Sequence, residues 1–126
     1  MSRAARQESR ADALAAASAA LDKQARDVAI LDVHGLLVIT DYFVLATGTS
    51  DRQVRTIVDA IEDALRKRGR RPVRREGETE NRWVLLDFAD FVVHVFAPDE
   101  RDFYDLERLW GDAPRVPVEE TASSTG

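Results

Sequence analysis

Hydrophobic positions recur with two different periods along this chain of 126 residues. Leu14, Ala17, Leu21 and Ala25 return at helical spacing behind Ser9-Arg10-Ala11-Asp12, a stretch that offers a cap with an acid three residues later. The spacing predicts a first helix over 10–24, rich in alanine and therefore helix-favouring but poor in buried area. Asp27 to Val33 is a short apolar run closed by His34-Gly35 and predicts a strand, whereas 36–40 fits neither period. Tyr42 to Thr47 is almost continuously apolar, the mark of an interior strand covered on both faces. Val54, Ile57, Val58, Ile61 and Leu65 then trace one helical stripe, with Arg52, Arg55, Asp59, Glu62, Asp63 and Arg66 on the remainder. This predicts a helix over 51–68, opened by the capping-box spacing of Ser50 and Gln53 and stopped by Gly69.

Further along, Arg70 to Arg75 with Pro72 suits a short edge strand, and Glu76-Gly77-Glu78-Thr79-Glu80-Asn81 a polar loop. Strands over 82–87 and 91–97 form a hairpin around Phe88-Ala89-Asp90. Asp99 after Pro98 caps a last helix over 100–109, whose apolar face is Phe103, Leu106 and Leu109 or Trp110. From Gly111 on, Pro114, Pro117 and a Ser/Thr/Gly ending read as a tail. The expected organisation is a flexible N-terminus over 1–9, one domain over 10–110 and a disordered tail over 111–126. The element order α-β-β-α-β-β-β-α predicts an α/β fold, a mixed sheet of about five strands with helices on its faces.

Composition narrows the function classes. A net charge of −5 argues against a general nucleic-acid coat, which normally carries a basic excess, and suits either a basic partner or plain solubility. With no cysteine, disulfides, zinc–thiolate sites and thiol catalysis are excluded together. No apolar run approaches the ~20 residues of a membrane helix. Arg3, Arg6 and Arg10 suggest a transit peptide, but Glu8 and Asp12 interrupt them and the Ala13 to Ala20 run continues into a foldable helix.

Candidate chemistry is sparse. Gly48-Thr49-Ser50 before a helix offers free N–H groups to a phosphate, or else is ordinary capping by Ser50; it is not a P-loop. A nucleotidyltransferase needs paired carboxylates for metal ions, and neither Glu76, Glu78 and Glu80 nor Asp87 and Asp90 form a rigid platform. His34 and His94 lack metal-ligand spacing, and no serine sits in a nucleophile elbow. Arg66-Lys67-Arg68, Arg70-Arg71 and Arg74-Arg75 form a basic cluster, read as a solvated helix end or as a contact with RNA. Trp83, Leu85 and Asp87 fall on one face of their strand, Val84, Leu86 and Phe88 on the other. Either helices cover both faces, or the aromatics anchor a protein partner with acids at the rim.

Taken together, Asp41-Tyr42-Phe43-Val44, Ala46-Thr47-Gly48-Thr49-Ser50, Arg52-Gln53-Val54, Glu76-Gly77, Trp83, Leu85-Leu86-Asp87, Asp90, Val93-His94-Val95-Phe96, Arg101, Tyr104, Leu106-Glu107 and Leu109-Trp110 resemble the ribosomal silencing factor, or Iojap, family. The resemblance implies a nucleotidyltransferase-like fold without the catalytic carboxylates, in a cytoplasmic protein with no catalytic, cofactor or metal site. It implies binding to the large ribosomal subunit through ribosomal protein fourteen, a steric block to subunit joining, repression of translation when nutrients are scarce, and a homodimer when free. A contact with ribosomal RNA through the basic cluster would be secondary. The partner-binding residues it implies are Trp83 and Phe88 as apolar anchors, with Glu76, Asp87 and Asp90 facing basic groups. This chain departs from the pattern at Ala89, where glycine is usual, at Asn81, and at Leu37 and Val38, where small polar residues are common. The runner-up is a nucleotide-binding or nucleotidyltransferase enzyme built on Gly48-Thr49-Ser50.

Overall fold

The computed structural model describes residues 3–37 and 40–118. In chain order its elements are α1 (Arg3–Asp22), β1 (Arg26–Asp32), β2 (Tyr42–Thr47), α2 (Asp51–Lys67), β3 (Arg74–Glu76), β4 (Trp83–Asp87), β5 (Phe91–Phe96), α3 (Pro98–Tyr104), α4 (Leu106–Leu109) and β6 (Arg115–Val116). The strands form one mixed sheet in the order β3-β4-β5-β2-β1-β6. β2 runs parallel to β5, with Tyr42 opposite Phe91 and Thr47 opposite Phe96, while the other pairings are antiparallel. The α/β class holds, and the sheet has six strands where the sequence predicts about five.

The two long helices lie on the same face. Val54, Ile57, Val58, Ile61 and Leu65 of α2 and Ala13, Ala16, Ala17 and Ala20 of α1 enter one core with Val44, Ala46, Val84, Leu86, Val93 and Val95. Alternation sends the intervening strand residues to the other face, where Leu31, Phe43, Leu45 and Phe96 pack with Val33, Leu106, Trp110 and Ala113. The alanines of α1 bury little area each, but they let that helix approach α2 and the sheet closely.

Several boundaries differ from the sequence expectation. α1 begins at Arg3, so 1–9 is not a flexible arm over its length, and Ser9 is buried mid-helix instead of capping its start. Asp12 is buried too, accepting from Arg68 Nε at 2.7 Å and Arg70 Nη1 at 2.9 Å. Glu76 belongs to β3 and not to the loop after it. The last helix is broken into α3 and α4 at Asp105, whose φ is +42°. Pro98 opens α3 after Ala97, and it is Asp105, not Asp99, whose side chain caps a helix, accepting from Arg108 N–H at 3.3 Å. The segment after Gly111 returns to the sheet: Asp32 N–H donates to the Pro114 carbonyl at 2.7 Å, and Val116 is buried opposite Ile30. The expected disordered tail is therefore ordered as far as Val118, and 119–126, like Val38, lies outside the described residues.

Other local signals are met as read. Ser50 is extended, and its Oγ accepts from Gln53 N–H at 3.1 Å. Gln53 reaches back one residue further than a standard capping box, to Thr49. Gly69 follows α2 in the left-handed region, and Arg70 N–H closes on the Leu65 carbonyl at 2.8 Å.

The β4–β5 corner is a two-residue turn in which Phe88 N–H donates to the Phe91 carbonyl at 3.0 Å. Its first central residue, Ala89, has φ +73°, a conformation for which glycine is the preferred residue. Ala89→Gly should therefore stabilise the fold by about 0.5–1 kcal/mol, the relief of left-handed strain less the added freedom of the unfolded chain. Thermal melts should show a rise of roughly 2–4 °C. Gly77→Ala should do the reverse and more strongly, since a Cβ there meets the Trp83 carbonyl oxygen at 2.0 Å.

Candidate functional site

The second face of the sheet is only partly covered. Its cover is the α3–α4 segment, and what holds that segment is the buried Arg101. Arg101 Nη1 donates to Thr47 Oγ1 and Nη2 to the Asp27 carbonyl, each at 2.8 Å, while Nε and Nη2 both reach Glu107 Oε1 at 3.0 and 2.8 Å. Glu107 Oε2 accepts in turn from Arg115 Nη2 at 2.9 Å. One guanidinium thus ties α3 and α4 to β1 and β2, and its carboxylate partner ties in β6. Trp110 meets Phe43 edge-on at 5.9 Å, which closes the face over β1 and β2.

Over β4 and β5 the cover ends. Leu37, Thr40, Phe43, Leu85, Val92 and His94 line a groove of about 310 Å³, rimmed by Val73, Arg74, Asp87 and Ala89. Val73 is 72% exposed, and Leu36, beside Leu37, is exposed as well. An apolar face of this kind costs solvation unless something docks on it. Trp83 stands at its end, half-buried, with its ring 4.4 Å from that of Tyr104 and 5.2 Å from that of Phe96. Its indole Nε1–H donates to His94 Nδ1 at 3.1 Å. Burial pushes the His94 imidazole down to a pKa of about 4, so the ring is neutral at pH 7.

Of the five residues expected to bind a partner, three share this face. Trp83 and Asp87 lie two residues either side of Leu85, and Glu76 stands opposite Leu85 on β3. Glu76 and Asp87 both pair with Arg74, at 3.2 and 3.7 Å. Phe88 does not belong with them. It is 2% exposed and stacks on Phe91 at 4.7 Å inside the core beneath α1 and α2. Strand parity puts it with Val84 and Leu86, and both long helices lie on that side, so the corner tucks it in. Asp90 is held at the corner by Arg70, whose Nη2 reaches Asp90 Oδ2 at 3.4 Å and the Phe88 carbonyl at 3.2 Å.

Six of the seven cations of the basic cluster, all but Arg71, pair with acids within the fold. Arg68 and Arg70 clamp Asp12, Arg66 and Lys67 pair with Asp63, Arg75 with Glu62, and Arg74 with Glu76 and Asp87. Among the described residues, these pairs leave few free cations for the contact with RNA that the cluster suggests. The Gly48-Thr49-Ser50 turn is similarly occupied. Gly48 N–H donates to the Phe96 carbonyl at 2.9 Å, Thr49 is bonded to Gln53, and Asp51 brings an acid into the first turn of α2. A Cβ at Gly48 would meet Val54 N at 2.8 Å, so the glycine serves close helix packing. That geometry gives an anion no cradle.

Sequence reasoning missed the groove and the role of Arg101. Leu85 and Val92 are strand residues by period, and the pairing of Asp87 opposite Val92 is what joins them to Trp83. Arg101 carried no signal beyond its place in the motif, since an arginine in a short acidic helix reads as surface.

Comparisons with known proteins agree with these observations. Residues 6–126 match the model of a family described as "Ribosomal silencing factor during starvation". A Bacillus subtilis protein named ribosomal silencing factor is 48% identical over 99 residues, covering 79% of this chain and 84% of its own. A crystal structure from Chromobacterium violaceum superposes with a TM-score of 0.76 at 34% identity, covering 88% of both chains. A more distant mouse protein, named for mitochondrial assembly of the ribosomal large subunit, is 34% identical over 91 residues, 70% of this chain and 40% of its own.

The neutral, buried His94 sets a pH dependence. Its folded pKa of about 4 lies below the ordinary 6.5, so the unfolded chain takes up the proton first as pH falls. Stability from this group should be complete above pH 6.5 and drain away between there and pH 4, by roughly 3 kcal/mol in total. Urea unfolding from pH 7.5 to 4 should show that slope, and His94→Phe should flatten it in that window while lowering stability at neutral pH by stranding the indole N–H.

Proposed function

Because this chain belongs to the ribosomal silencing factor family, we propose that it binds the large ribosomal subunit, blocks its joining to the small subunit and so represses translation when nutrients are scarce. The observation that carries this reading is the half-covered sheet face, an apolar groove between Val73, Leu85 and Val92 that ends in Trp83 and carries Glu76 and Asp87. The proposed partner on the subunit is ribosomal protein fourteen, met as a protein surface with apolar groups at its centre and basic groups around them. The net charge of −5 favours encounter with such a surface and fixes its orientation. In the free protein the same apolar face is available to a second copy, which accounts for a homodimer when no ribosome is present. The role is regulatory and non-catalytic, exercised in the cytoplasm. The occupied N–H groups at Gly48 and Thr49 speak against the nucleotide-binding reading.

Purified protein should co-sediment with isolated large subunits and not with small ones, and should lower the yield of joined ribosomes when added before mixing. Equal binding to both subunits would sink the proposal. Val73→Glu is the cleanest probe of the face, since the residue is 72% exposed and the fold does not need it. It should melt near the parent temperature and bind about 10- to 100-fold more weakly, because a charge set in an apolar contact loses about 1.4–2.8 kcal/mol. Trp83→Ala should weaken binding comparably while costing some stability through its lost ring contacts with Tyr104 and Phe96. Phe88→Glu, by contrast, should unfold the domain, as a charge placed in the core would.

A further inference from the structure

The sequence places Phe103 on the apolar face of one last helix, and the structure turns it outward. The break at Asp105 ends α3 after seven residues, and within it Arg101 is the buried residue. Two positions further along a helix is roughly 200° further round, so Phe103 faces solvent, 81% exposed. A single exposed apolar side chain needs no explanation, but Phe103 is one of three aromatics in a row. Its ring meets that of Tyr104 edge-on at 5.0 Å, and Tyr104 in turn meets Trp83 at 4.4 Å. Trp83 stands at the end of the groove, so apolar surface runs ring to ring from β4 onto the outside of α3. Beside Trp83 and Tyr104 lies a hollow of about 420 Å³, lined also by Gly77, Arg82 and Glu100.

The charge around this strip has one sign. From Pro98 to Asp112 the chain carries six acids and two arginines, a net −4 of the −5 that the whole chain carries. One of those arginines, Arg101, is buried and bonded to Glu107. At the hollow, Arg82 is shared among Asp51, Asp99 and Glu100, at 3.2, 3.8 and 2.8 Å. Phosphates of RNA or of a lipid surface are repelled by such a field, whereas a basic protein segment is drawn in.

We infer that the docking contact continues past Trp83 onto α3, where Phe103 and Tyr104 receive a basic segment of a large-subunit protein, one that carries an apolar side chain among lysines or arginines. This rests on the docking reading proposed above and adds a second contact to it. The rings supply apolar area and also a face on which a cation can lie. Asp99 and Asp102, exposed on the same helix, set the approach. A groove alone holds the partner at one place. A second contact on another element fixes the angle at which the protein sits, and a steric block to subunit joining depends on that angle.

Phe103→Ser removes the outermost ring at a position the fold does not use. It should melt near the parent temperature and bind isolated large subunits about 5- to 30-fold more weakly. Asp102→Lys should weaken binding at low salt, with the loss shrinking as salt rises. The same reversal at Asp59, on α2 at the opposite face of the sheet, should cost much less. Unchanged affinity in a folded Phe103→Ser, or equal losses at Asp102 and Asp59, overturns the inference and leaves large-subunit binding standing. A Phe103→Ser protein whose self-association changes while its subunit binding does not assigns the strip to a second copy, and overturns the inference too. If the parent protein itself fails to bind large subunits, the docking reading and this inference fall together. A second measurement does not depend on any variant folding. Hydroxyl-radical footprinting of the parent should show Phe103 and Tyr104 protected when isolated large subunits are added. Oxidation of both rings at an undiminished rate in the bound state would rule the contact out.

Discussion

Strands β2 and β5 run parallel at the centre of the sheet, and a parallel pair has to be covered on both faces. Most of the architecture answers that requirement. A parallel return needs a crossover, and α2 with β3 and β4 provides it. β2 is buried along its whole length, and the β5 residues beside it are nearly so. The two long helices both serve one face, which leaves the other to a short, broken C-terminal segment. That segment is too small to cover four strands. It closes over β1 and β2, reaches β4 only at its first residue through Tyr104 against Trp83, and leaves the rest of β4 to the groove.

Arg101 makes this incomplete cover stable. A guanidinium is costly to bury unless its donors are met, and here a hydroxyl, a backbone carbonyl and a carboxylate meet them from three elements. The arrangement is directional where apolar packing is not, and it sets where α3 and α4 sit. Asp12 plays the matching part on the helical face, gathering Arg68 and Arg70 so that the end of α2, the loop before β3 and the hairpin corner are fixed to α1. Both hubs consume charges that a linear sequence displays as surface clusters.

This explains which features were legible. α2 could be read nearly to the residue because its stripe, cap and terminal glycine are all local. β2 and the hairpin followed from period and run length in the same way. The extension of α1 to Arg3 was not legible, since its first turns lack an apolar stripe, and β6 was hidden in a stretch whose prolines look like a tail. For the site, alternation correctly separated Trp83 and Asp87 from Phe88. What it cannot supply is the side on which α1 and α2 lie: the residues alone leave Phe88 open between core and anchor, the resemblance makes it an anchor, and the structure buries it in the core. Leu37, Val73 and Thr40 reach the groove from outside its strands, and no local period relates them to Leu85.

The sheet ends in two very short strands. β3 has three residues, all charged and exposed, and β6 has two. A strand that brief offers an incoming chain few backbone groups to pair with, and Arg74, Arg75 and Glu76 add charge against any apolar newcomer. The molecule can therefore display an uncovered apolar face without inviting its neighbours to extend the sheet sideways. Side-chain packing on that face and fibre-like strand addition are kept apart geometrically, so an uncovered apolar face does not open the way to the association most damaging to a sheet.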